Sequence, residues 1–106
     1  MPLTKDFNET LREQLQKSKA FRRALLKEAV GCMIEGDVET GKSVLRKFIN
    51  GTIGFIKLGE ELGRSPKVLM RMFSARGNPQ AKNLFEIVAY LQKVERTKLK
   101  VVGRAA

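Results

Sequence analysis

Residues 55–74 read FIKLGEELGRSPKVLMRMFS, and the reading of this window decides the fold. Phe55, Leu58, Gly59 and Leu62 recur at steps of three and four, the spacing of one helix face, and the run stops at Gly63. Ser65-Pro66 then reads as an N-cap followed by proline at the first helical position. Val68, Leu69, Met72 and Phe73 form the apolar face of a second short helix. Two short helices joined by a tight turn containing glycine make the helix-turn-helix pattern. Glycine in mid-helix costs ~1 kcal/mol against alanine, so Gly59 is expected where another helix approaches closely. Gly63 is expected at positive φ in the turn. Leu58, Leu62, Leu69 and Met72 are expected to fill the space between the two helices.

Helical periodicity continues on both sides of the window. Phe7, Leu11 and Leu15 recur every four residues, which reads as a weak first helix or a mobile arm over residues 1–18. Ser18 is a candidate cap for a second helix. Its stripe of Phe21, Leu25, Leu26, Ala29, Val30, Cys32 and Met33 is wide enough to demand burial. Gly36-Asp37 ends it, with Asp37 as the next N-cap. Val44, Leu45, Phe48 and Ile49 mark a third helix, which Asn50-Gly51 is expected to break. Beyond the window, Gly77-Asn78-Pro79 is a turn. Leu84, Ile87, Val88, Leu91 and Val94 then give a last helix. Leu99 and Val101 alternate with Lys98 and Lys100, which predicts a short C-terminal strand. The expectation is an all-α domain of five to six helices spanning residues 19–106, with no linker that divides it.

At 106 residues the chain has the length of one domain. Its 21 Lys and Arg against 11 Asp and Glu give a net charge of +10, while 42% hydrophobic residues suffice for a core. The excess lies in the last two thirds: residues 1–36 hold 7 bases and 5 acids, residues 37–106 hold 14 and 6. A compact domain this basic attracts polyanions, nucleic acid first. With no histidine, a Ser-His-Asp or Cys-His engine cannot be assembled, and a single cysteine cannot complete a Cys/His zinc site. One cysteine forms no internal disulfide, which fits a reducing cytoplasm. Lys5, Asp6 and Glu9 at the start do not resemble a signal peptide, and no apolar run approaches the ~20 residues that span a bilayer. Cys32 reads as a core thiol. Gly41-Lys42-Ser43 spells the end of a phosphate-binding loop, but the glycine that pattern needs five residues earlier is missing. No catalytic, metal or cofactor site is expected.

Residues 55–91 resemble the helix-turn-helix of Cro and phage-repressor type (Xre-like) proteins. Gly59, Gly63, Ser65 and Asn78-Pro79 carry the likeness. From about Phe21 the chain is similar to the HigA-like addiction-module antidote subgroup, with Glu35-Gly36-Asp37 and Gly77-Asn78-Pro79 at the matching places. Arg64 stands where that pattern is usually apolar, Phe55 where it is commonly Gln, and Asn83 where it is usually Thr. The resemblance implies a phage-repressor-like, dimeric DNA-binding domain that represses its own operon as the antitoxin of a toxin–antitoxin module, with a small toxin as partner.

A recognition helix enters the major groove with its N-terminal part leading. The candidate base-reading residues are Lys67, Met70 and Arg71, since Lys and Arg reach guanine O6/N7 and Met touches a thymine methyl. Arg64, Ser65, Ser74, Arg76 and Lys82 are the candidate phosphate contacts. The expected partners are a double-stranded operator and a second copy of the chain, without a membrane. Two alternatives stand beside this reading. A small basic RNA-binding or ribonuclease toxin-type protein usually needs several strands and a polar catalytic cluster. A protein-interaction module would keep the helix-turn-helix without binding DNA.

Overall fold

Side-chain caps divide the chain at the positions the sequence marks. Ser18 Oγ accepts from the Phe21 N–H at 3.0 Å, and Asp37 Oδ1 accepts from the Thr40 N–H at 3.2 Å. The computed structural model describes residues 7–106, which hold six helices: α1 (Phe7–Lys17), α2 (Lys19–Ile34), α3 (Val38–Gly51), α4 (Phe55–Leu62), α5 (Pro66–Met72) and α6 (Ala81–Glu95). The all-α expectation holds. Among the described residues no helix is long and apolar enough to cross a membrane.

α2 and α3 form the main hairpin, α1 packs on α3, α4 pairs with α5, and α6 lies against α2. Leu26, Leu45, Phe48, Ile49, Leu58, Leu69 and Ile87 meet in one core without exposure to solvent. Residues 1–6 of the expected arm lie outside the described residues. The rest of it is helical, with Leu15 fully buried. Leu15 sits directly over Gly51, where a Cβ would collide with its side chain.

Two arginines close the fold. Arg22 Nε donates to Glu95 Oε1 at 2.8 Å, and its Nη1 donates to the Leu15 carbonyl at 2.8 Å. Arg23 Nε donates to the Glu95 carbonyl at 3.0 Å. Both cations therefore satisfy orphan carbonyls at helix C-termini, where the helix dipole favours positive charge. Tyr90 of α6 faces Glu61 of α4. Burial, and then this carboxylate, push its hydroxyl above the ordinary value.

The structure corrects four local expectations. α3 runs through Asn50-Gly51, and the break falls at Thr52–Gly54, where Thr52 Oγ1 turns back to the Phe48 carbonyl at 2.7 Å and Gly54 takes φ 79°. Residues 97–106 form no strand. A strand needs a ladder partner and no described residue supplies one; instead the Leu99 N–H donates to Gln92 Oε1 at 2.8 Å. Val94 is 48% exposed, and its expected place in the core goes to the arginine-held Glu95. Cys32 is half-buried at the rim of α2, with Sγ 3.9 Å from Glu28 Oε1. Partial burial, and then the carboxylates of Glu28, Asp37 and Glu35, push its thiol above the ordinary value. That is the opposite of a reactive thiolate.

Asp37 gives a pH-dependent prediction. Hydrogen bonds from Thr40, side chain first and then amide, hold its carboxyl below the ordinary carboxylate value. A depressed carboxyl contributes stability that is present above the unfolded value of ~3.9 and disappears as pH falls through the folded value. Asp37→Ala is therefore expected to melt below the wild type at pH 7. The gap should narrow as pH drops below about 4. Thermal melts by circular dichroism at pH 3 to 7 check this, and a gap independent of pH would refute it.

Candidate nucleic-acid interface

The helix-turn-helix is built by its turn. Gly63 ends α4 at φ 66° and ψ 35°, a left-handed conformation that glycine adopts without a Cβ penalty. The Arg64 N–H then donates to the Gly59 carbonyl at 2.9 Å. A Cβ on Gly59 would lie 2.5 Å from the Arg64 carbonyl oxygen and 3.4 Å from the Pro66 ring. The close approach inferred from Gly59 is real, but the approaching group is the turn backbone and not a helix axis. Leu58 and Leu69 are fully buried between the helices, with Leu62 and Met72 partly buried beside them. Phe55 at the start of α4 and Phe73 after α5 pack with ring centroids 5.8 Å apart.

This packing fixes which face of α5 points outward. Ser65, Lys67, Met70 and Arg71 are all exposed. Val68, expected inside, is 46% exposed, the same as Met70. The outward face is thus mixed: two bases flanking two apolar side chains. Arg76 in the following turn and Lys82 in the first turn of α6 are also exposed. Among the described residues, Lys67, Arg71, Arg76 and Lys82 have no ion-pair partner. Their charges are therefore free to meet a polyanion. The Ser65 hydroxyl makes no capping bond and is likewise free.

Two of the expected phosphate contacts are employed differently. Arg64 Nη2 lies 2.7 Å from Glu86 Oε1 and 3.1 Å from Asn83 Oδ1, so its guanidinium ties the turn to α6. Arg64 and Asn83 are both departures from the repressor-like pattern, and they are bonded to each other. Ser74 is half-buried, and its Oγ donates to the Arg71 carbonyl at 2.7 Å, closing the end of α5.

Two residues of α3 belong to the site and are not evident from its sequence window. Lys42 is 2% exposed, and its Nζ donates to the Gly77 carbonyl at 2.6 Å and the Ser74 carbonyl at 3.1 Å. The lysine of the Gly41-Lys42-Ser43 motif is thus a pin for the loop after α5. Its ion pair with Glu39 at 3.4 Å adds little, because Glu39 is 71% exposed. One turn further on, exposed Arg46 lines a cleft of about 230 Å³ whose other wall includes Phe73, Ser74 and Ala75. The i, i+4 spacing of Lys42 and Arg46 is visible in the sequence, but only the packing of α3 beside the end of α5 gives it meaning.

No family model, curated protein or solved structure matches the chain.

Proposed function

We propose that this protein is a sequence-specific DNA-binding regulator that inserts α5 into the major groove. The observation that carries the reading is the outward face of α5, where Lys67, Val68, Met70 and Arg71 stand exposed while the opposite face is locked in the core. A helix admitted to the major groove distinguishes base pairs by donors to guanine and apolar contacts to thymine methyls, and this face offers both. Ser65, Arg76, Lys82 and Arg46 surround it with donors for phosphates. As a homodimer, two copies of α5 spaced about one DNA turn apart would read a pseudo-palindrome. The repressor-like spacing of the sequence supports autoregulation of its own operon and an antitoxin role beside a small toxin.

Fluorescence anisotropy with duplex DNA from upstream of the coding sequence, against a scrambled duplex, tests the proposal. The expected result is a preference of ~10³-fold or more, with affinity falling as salt rises. Equal binding to both duplexes would reduce the protein to a polycation. Two variants separate the roles. Arg71→Ala should cost the operator ~1–3 kcal/mol and leave the scrambled duplex almost unchanged. Arg46→Ala should weaken both duplexes alike and reduce the salt slope by about 1. A uniform loss on Arg71→Ala would remove it from base reading.

A further inference from the structure

A second site lies away from α5. A groove of about 590 Å³ opens where the end of α1, the start of α2, the α3–α4 connection and the last turns of α6 converge. None of its lining residues belongs to α5. Ligand sites are typically concave spaces of ~300–1,000 Å³ with apolar walls and a few polar groups. Here Ile53, Tyr90 and Val94 offer the accessible apolar surface, backed by the buried Leu15, Phe48 and Leu91. Val94 is the residue that leaves the helical stripe of α6 for solvent, and it does so at this groove.

The charge among the lining residues is mainly basic, and Glu61 reaches Tyr90 at the rim. Lys19, Lys57 and Arg96 line the groove, and none has an ion-pair partner among the described residues. The one acid in the lining, Glu95, is 7% exposed and already held by Arg22 at 2.8 Å. An apolar trough with uncompensated cations at its edge complements a ligand with an apolar body and a single anionic head. We infer that the groove binds a medium-chain acyl carboxylate, its chain along Ile53, Tyr90 and Val94 and its carboxylate between Lys19, Lys57 and Arg96. Because the site shares no residue with the outward face of α5, it stands whether or not the protein reads DNA.

Tyr90 makes the inference directly measurable. The chain has no tryptophan and one tyrosine, so its intrinsic emission reports this groove. Decanoate titrated below its micelle concentration should change that emission saturably. A ligand of this size at ordinary efficiency per atom gives a Kd of about 2 mM or tighter. Each methylene removed should weaken binding roughly fourfold. Decylammonium, with the same chain and the opposite charge, should bind at least tenfold more weakly. Val94→Glu, a change at a half-exposed position, should abolish decanoate binding while leaving the helical circular-dichroism spectrum intact. Lys19→Gln combined with Lys57→Gln should erase the preference for decanoate over decylammonium, whereas Lys100→Gln, outside the groove, should not. Absence of a saturable change, equal binding of the two charges, or indifference to Val94→Glu with the fold intact would each overturn the assignment.

Discussion

Lys42→Ala is expected to lower the stability of the domain by about 3 kcal/mol. The side chain is 2% exposed, and its ammonium serves the Ser74 and Gly77 carbonyls. Hydrogen bonds to a charged donor contribute ~1.5–3 kcal/mol each, but the cost of removing an ammonium from water offsets much of that sum. Truncation also empties the channel of its four-carbon stem, a loss on the order of other large-to-small core changes, ~2–5 kcal/mol. Lys42→Met separates the two effects. It keeps the stem, loses the donors, and should recover about half of the deficit. Urea unfolding followed by circular dichroism gives both numbers. A Lys42→Ala midpoint within ~0.5 kcal/mol of wild type would show that the loop holds without its pin. At temperatures where both variants are fully folded, operator affinity should still fall, since the loop that carries Arg76 is no longer fixed.

Gly59→Ala should be destabilising by ~2 kcal/mol, against the usual sign of this substitution in a helix. Helix propensity alone favours alanine by ~1 kcal/mol. Against it, the new methyl would sit 2.5 Å from the Arg64 carbonyl oxygen. That oxygen is backbone, held in a turn whose next residues open α5, so it cannot swing aside as a flexible side chain would. Overpacking of this kind costs ~1–3 kcal/mol and moves the backbone. The displaced group is the start of α5, so under the proposed DNA-binding role operator affinity is expected to drop by at least ~10-fold in fully folded protein, with much less effect on a scrambled duplex. A Gly59→Ala protein more stable than wild type would mean that the turn yields freely and that Gly59 has no packing role.

Most of the fold could be read from the chain, because its signals are local. Ser18, Asp37, Gly63 and Pro66 act on their own turns, so each boundary they mark is where the helix begins or ends; Ser65 holds the N-cap position without a side-chain cap bond. The misread positions depend on neighbours distant in sequence. Val94 lies on the apolar repeat of α6, yet Glu95 is the buried residue because Arg22 and Arg23 of α2 claim it. The Lys98–Val101 alternation has the rhythm of a strand, but rhythm provides no ladder partner. The candidate interface divides in the same way. Lys67, Met70 and Arg71 are exposed as the helix period requires. Arg64 and Ser74 satisfy local acceptors that the spacing of the motif does not disclose. Gly41-Lys42-Ser43 lacks the glycine a phosphate loop needs, and only the placement of α3 against the end of α5 gives Lys42 a task.

The clamp of Arg22 and Arg23 on Glu95 also orders events in time. Its partners are 73 and 72 residues apart, and the acceptor side does not exist until residue 95 has been synthesised and has left the ribosome. α1, α2 and α3 can associate early, since their contacts are close in sequence. α4 and α5 emerge next, before α6 can brace them through Arg64 and Glu86. The nascent chain therefore displays α5, with Lys67 and Arg71 exposed, on a domain that is still open. Its final geometry is set only when the last helix arrives.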